Sequence, residues 1–116
     1  IKAHYREQDV FHGSFTEESG RTAFETLYAQ GCDGFFVEND MMAKGVLAAA
    51  KEKGIHIGEN CKFAVYDYEG TENVISVRQN LSLMAEKAID RLIERIEEPE
   101  KLMPAGNFYI TPLVEN

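Results

Sequence analysis

Basic residues are scarce in this sequence: 12 Lys and Arg stand against 20 Asp and Glu, for a formal net charge of −8. Holding a phosphate backbone needs clustered Lys and Arg. The lysines here are scattered, so this stretch does not read as a nucleic-acid-binding part. No apolar run approaches the length of a membrane helix, so no membrane partner is expected. No secretion signal is visible, and the chain opens on Ile1 rather than Met. The expectation is a cytoplasmic protein from which something was removed, or a piece of a longer chain. Cysteine is nearly absent too. Cys32 and Cys61 lack Cys-x-x-Cys spacing and read as reduced cysteines near strand starts, not as a metal site or a disulfide.

The signatures of catalysis are equally missing. The sequence has no G-x-S-x-G elbow, no P-loop and no G-x-G-x-x-G turn. His4, His12 and His56 have no metal-ligand spacing and read as surface residues. Asp67, Glu69, Glu72 and Asn73 outline a calcium loop, but its last ligand position, counted from Asp67, is Arg78, which carries the wrong charge. Nothing points to a carboxylate pair with split environments. The expectation is a protein that is not an enzyme and holds no cofactor and no metal.

What is present is ordinary globular composition, 44% apolar and 28% charged, over 116 residues, enough for about one domain with a modest core. Apolar patterns alternate between strand and helix type. QDVFHG (8–13) predicts a short strand. TEESGRTAFETLYAQG predicts a helix with Ala23, Phe24, Leu27 and Tyr28 on one face, Thr16 capping its start and Gly31 ending it. CDGFFVEN predicts a strand buried on both faces. DMMAKGVLAAAKEKG predicts a helix striped by Met42, Ala43, Val46, Leu47 and Ala50, stopping at Gly54. Met41 and Met42 read as core filling more than as a binding surface. CKFAVYD and the weaker NVISVRQ are further strands. NLSLMAEKAIDRLIERIEEP is the clearest helix, with Ala85, Ala88, Ile89, Leu92, Ile93 and Ile96 at helical spacing and Pro99 ending it. NFYITPLV closes the chain as an extended segment, placed at a sheet edge by Pro112. The alternation predicts an α/β fold: a parallel sheet with helices on both faces, a three-layer αβα arrangement.

In a parallel sheet, ligands bind outside the carboxyl ends of the strands. Ser14-Phe15, Glu38-Asn39-Asp40, Asp67-Tyr68-Glu69 and Arg78-Gln79 each come directly after a predicted strand. An aromatic, an amide, a carboxylate and an Arg-Gln pair on one rim suit a polyhydroxyl ligand. Helix capping is the competing reading for Asn39 and for Asp40.

FFVENDMMAKGVLAAAKEKGIHIGENCKFAVYD resembles the signature of the lactose-repressor/galactose-repressor (LacI/GalR) family of bacterial transcription regulators. That pattern is an apolar strand, Asn-Asp, a Met-Ala-x-Gly helix, a Gly-Ile/Leu-x-Val turn and a strand ending in Gly-Phe/Tyr-Asp. GSFTEESG, SVRQNLSLM, AIDRLIERIEEPE and the final LVEN resemble further family segments in the right order. The resemblance covers nearly the whole chain. It implies the C-terminal lobe of a periplasmic-binding-protein-like (type I) sensing domain over residues 1–116, lacking the family's N-terminal helix-turn-helix and first lobe. It further implies a carbohydrate-type effector between lobes, DNA contact only through the missing N-terminal domain, and a homodimer formed partly through the helix spanning Met42 to Ala49.

By position, the resemblance implies that Asn39 and Asp67 bond sugar hydroxyls, that Phe15 stacks on the ligand, and that Gln79 is a rim polar residue near it. The chain departs from the pattern in places. The stretch from Asp67 to Gln79 is short, Val65 stands in a glycine position, Lys44 in a leucine position and Asn116 in an arginine position. Two other readings use the same fold: a sugar-binding protein of a transport system, and a purely architectural lobe.

Overall fold

The computed structural model describes residues 6–70, 73–101 and 109–115. They divide into two units, one of residues 1–78 with 114–116 and one of residues 79–113. In the first unit α1 (Glu17–Ala29), β1 (Gly34–Val37), α2 (Asp40–Glu52), β2 (Lys62–Tyr66) and β3 (Ile75–Arg78) come in that order. β1 pairs with β2 and β2 with β3, all parallel, with Val37 opposite Val65 and Val65 opposite Ser76. β4 (Leu113–Glu115) completes the sheet at its edge, in the order β1-β2-β3-β4, just after Pro112, whose missing N–H suits an edge. This is an α/β fold.

The strand register decides what is buried. Alternate residues face opposite sides. Phe35 pairs with Phe63 and Val37 with Val65, so these four side chains share one face. Phe24 of α1 packs over that face with its ring tilted, centroids 5.3 Å from Phe35 and 6.1 Å from Phe63. Phe24, Phe63, Val65, Ala43, Val46, Leu47, Ala49 and Ala50 belong to one buried cluster. Phe36 points the other way and stays 63% exposed. The expectation of a strand buried on both faces is thus corrected: a continuous apolar run does not say which of its faces meets a helix.

α1 and α2 approach closely because glycine stands at both crossing points. A methyl on Gly45 would lie 1.8 Å from the carbonyl oxygen of Glu17, and one on Gly20 would lie 2.1 Å from that of Met42. The contact buries Gly20, Ala23 and Phe24 of α1 and Ala43, Gly45, Val46, Leu47, Ala49 and Ala50 of α2. An Arg21–Glu52 pair spans the two helices at the surface, one of its bonds being 2.9 Å. The α2 stripe is therefore committed within the chain. The surface expected to serve a dimer between Met42 and Ala49 is reduced to half-buried Met42 and Ala48 and exposed Lys44, the last paired with Asp40 at 2.7 Å.

One further expectation changes. Residues 8–13 form no strand. Glu7–Asp9 is a 3-10 turn instead, closed because Arg6 donates to Asp9 from its backbone N–H (2.9 Å) and from its guanidinium (2.8 Å). Such local side-chain bonds offer the backbone an alternative to a strand ladder. The second unit holds α3 (Leu81–Glu97), capped by Asn80, whose side chain accepts from Leu83 N–H, and ending before Pro99 as expected. Its apolar stripe is open: α3 has no buried residue, and Ile89, Leu92, Ile93 and Ile96 are all largely exposed. Spacing shows that a helix has an apolar side and not what meets it. Of NFYITPLV, Asn107 and Phe108 lie outside the described residues.

Candidate functional site

β1 and β2 run parallel, so the segments leaving Val37 and Val65 emerge at the same edge of the sheet. Asn39 and Asp67 each stand two residues beyond that register pair. α2 begins at this edge, immediately after Asn39. α1 begins there too: Gly20 in its first turn lies against Met42 in the first turn of α2, and Gly13 lies against the Met42 side chain. Phe15, two residues before α1, thus joins Asn39 and Asp67 at the carboxyl edge of the sheet.

Each of the three is held by a distinct device. Asn39 has extended backbone, and its Oδ1 accepts the Met42 N–H at 2.8 Å, so it is the N-cap of α2. This settles which residue caps. Asp40 is the first helical residue and pairs with Lys44. The cap uses only the oxygen of Asn39; the amide hydrogens on Nδ2 take no part in it. Asp67 directly follows β2 with φ +56°, and its N–H donates to the Val77 carbonyl at 2.9 Å. Phe15 has φ +60° and is 67% exposed. Its neighbours fasten it. Thr16 Oγ1 accepts the Ser19 N–H at 3.1 Å, and Ser19 Oγ accepts the Ser14 N–H at 3.2 Å.

A left-handed backbone costs an L-residue roughly 1–2 kcal/mol. Among the described residues, Phe15 and Asp67 are the non-glycine residues with positive φ, and both stand at this edge. For a bulky aromatic this is a conformational outlier, and such outliers gather at ligand sites.

Gln79, the fourth expected site residue, directly follows Arg78 at the end of β3 and is half-buried; it opens the second unit. The structure therefore brings Phe15, Asn39 and Asp67 together and describes Gln79 by its chain position. Arg78, the last residue of β3, donates at 2.7 Å to Glu69 in the turn after β2. One buried polar residue beside the Asp67 turn escaped the sequence reading. Ser76 is 7% exposed, and its Oγ donates to the Tyr68 carbonyl at 2.8 Å. A serine at an inward-facing strand position, opposite Val65, was the available signal.

Chemically the edge offers a carboxylate acceptor, an amide donor and an exposed aromatic face. These fit a neutral ligand with ring hydroxyls or ring nitrogens. Away from the edge, burial pushes the Cys61 thiol up from its ordinary range, with nearby Asp33 adding to the rise. Among the described residues no helix is long and apolar enough to cross a membrane.

The chain is similar to known proteins over most of its length. A family described as periplasmic binding protein-like domain matches residues 2–114. An HTH-type transcriptional regulator from the aml 5′ region of Streptomyces limosus is 32% identical over 97 residues, covering 78% of this chain and 27% of its own length. The HTH-type transcriptional repressor PurR of Pasteurella multocida is 30% identical over 96 residues, covering 77% of this chain and 29% of its own length. Among solved structures, a complex of the transcriptional regulator CelR with cellobiose superposes with a TM-score of 0.79 at 25% identity, over 97% of this chain and 36% of that one. The chain thus spans under a third of the two curated relatives.

Proposed function

Because the chain belongs to the periplasmic binding protein-like domain family, in the form carried by LacI/GalR-type regulators, we propose that it is the effector-sensing C-terminal lobe of a bacterial transcription regulator, with its carboxyl edge forming one wall of the effector site. One observation carries the reading: the two strained non-glycine residues, Phe15 and Asp67, and the capping amide Asn39 share one edge of the sheet. Strain of this kind persists only where the surroundings hold it, and it concentrates at ligand sites.

The chemistry of each side chain assigns its role. Asp67 accepts hydrogen bonds from paired hydroxyls. Asn39 donates through the Nδ2 hydrogens that its cap leaves over. Phe15 covers an apolar ring face, and Gln79 adds a donor and an acceptor. That set supports a carbohydrate effector, and a relative of the same fold is known with cellobiose. A first lobe would supply the opposite wall. Effector binding between lobes would favour one arrangement of them and so shift the population competent for DNA. In the whole protein, DNA contact falls to an N-terminal helix-turn-helix, as the names of the relatives suggest, within a cytoplasmic homodimer. This role is binding, not catalysis. The transport-protein reading shares the fold but not the regulator relatives.

The test is DNA binding by the full-length protein in the presence of mono- and disaccharides, cellobiose included. A coupling of about 5–150-fold in DNA affinity for at least one sugar is expected. DNA binding indifferent to every sugar tried would overturn the carbohydrate reading. Absence of sequence-specific DNA binding altogether would overturn the regulator.

A further inference from the structure

The turn after β2 is fastened more heavily than a connecting loop requires. Asp67 N–H bonds to Val77, the Tyr68 carbonyl accepts from Ser76 Oγ at 2.8 Å, and Glu69 pairs with Arg78 at 2.7 Å. Three consecutive residues are thus tied to three consecutive residues of β3. The middle tie differs in kind. The backbone bond belongs to the sheet, and the Arg78–Glu69 pair is at the surface, with Glu69 77% exposed. Ser76 and Tyr68 are both buried, at 7% and 6% exposure. Tyr68 joins the core cluster, and its ring packs so closely under Gly70 that a methyl there would meet it at 2.1 Å. The Tyr68 peptide is therefore gripped from both sides, by a ring in the core and by a hydroxyl on its carbonyl.

That grip reaches Asp67 through the Tyr68 Cα. The bonded carbonyl belongs to the peptide that joins Tyr68 to Glu69, and with that carbonyl and the ring both held the Tyr68 Cα is held too. The Asp67–Tyr68 peptide, on the C-terminal side of the strained Cα, is thereby anchored at its far end, and the Val77 bond fixes the peptide before it. With both flanking peptides held, φ of Asp67 stays at +56°. Without the hydroxyl, the Tyr68 carbonyl would lose this buried hydrogen bond, and the turn would be held less firmly. We propose that Ser76 is a positioning residue for the effector site: its buried hydroxyl holds the Tyr68 peptide and thereby keeps the Asp67 carboxylate aimed over the carboxyl edge. The proposal rests on the reading of Asp67 as an effector-binding residue, and it adds a residue that touches no ligand.

Amide hydrogen exchange on the full chain without any ligand tests it, comparing wild type, Ser76→Ala and Ser76→Thr. Loss of one buried hydrogen bond should speed exchange at Asp67 by on the order of tenfold. Amides within α2, such as Val46, should stay within about twofold, because their bonds do not pass through the turn. Ser76→Thr keeps a hydroxyl and should restore slow exchange at Asp67. Equal acceleration at Asp67 and Val46 would mean that Ser76 serves only global stability. Unchanged exchange in Ser76→Ala, or failure of Ser76→Thr to restore it, would equally overturn the positioning role. Sugar binding by Asp67→Ala in the full-length protein is read separately. Its retention would overturn the site reading while leaving the exchange result intact.

Discussion

The two edges of the parallel sheet handle left-handed backbone in opposite ways. At the amino edge, where helices end and strands begin, the positive-φ positions are Gly31 (φ 90°), Gly54 (φ 68°) and Gly58 (φ 90°). Glycine takes that conformation at no steric cost. At the carboxyl edge the same region of backbone space is occupied by Phe15 and Asp67. One edge is built for easy turning. The other accepts strain in order to keep particular side chains, a phenyl ring and a carboxylate, where glycine would fold more easily. This asymmetry marks which edge carries the chemistry.

The contrast between edges concerns backbone freedom, and the largest effect expected lies at its limit. Gly45 serves space rather than freedom. Gly45→Ala drives a methyl into the Glu17 carbonyl and must part α1 from α2, at about 3 kcal/mol or more. Denaturant unfolding should show this as a lower midpoint. A neutral result would mean that the helices are not in this contact. At the amino edge, Gly31→Ala and Gly54→Ala meet no neighbour within 4 Å. Each should cost only the conformational term, about 1–2 kcal/mol by the same measurement. If they are neutral, the amino edge does not depend on glycine and the contrast between edges is broken.

At the carboxyl edge the sign reverses. Phe15→Gly relieves a left-handed aromatic whose exposed ring contributes little packing, so it should stabilise the fold by about 0.5–1 kcal/mol. Destabilisation would show that the ring is needed for folding and not for a ligand.

The smallest effect concerns the cysteines at the amino edge. Cys61 is buried and its thiol is pushed up, first by burial, while Cys32 is half-buried. Iodoacetamide should label Cys32 in the folded chain and Cys61 only on unfolding. Because the folded thiol holds its proton longer than the unfolded one, its contribution to stability is whole below the ordinary cysteine range. It falls away as pH rises from that range through the raised value. Equal labelling of the two cysteines in the folded state would contradict the burial of Cys61.

Much of this was legible in the residues. The strand after Cys61, the helix after Asn39 and the stops at Gly31 and Gly54 come from periodicity and punctuation, which are local properties. The clustering of Asn39 and Asp67 came from one topological rule about parallel strands. What stayed hidden was non-local or geometric. GFFV gives no sign that Phe36 faces away from α1 and α2. Residues 8–13, with the apolar pair Val10-Phe11, read as a short strand, and only the Arg6–Asp9 bond pattern shows the turn at their start. The strain at Asp67 leaves no mark in VYD, because an aspartate reads the same at either sign of φ. Ser76 stood unremarked in NVISV, since its role depends on a carbonyl eight residues away.

If Asp67 is kept at a strained position for the sake of its carboxylate, backbone and side chain should respond oppositely to one substitution. Asp67→Gly in the full-length protein separates the two, read by thermal unfolding and by calorimetric titration with the sugar that alters DNA binding. The unfolding midpoint should hold or rise, because glycine relieves φ +56°. Sugar affinity should fall by on the order of tenfold or more, from loss of a charge-assisted hydrogen bond of about 1.5–3 kcal/mol. Wild-type affinity in Asp67→Gly would contradict the role given to the carboxylate.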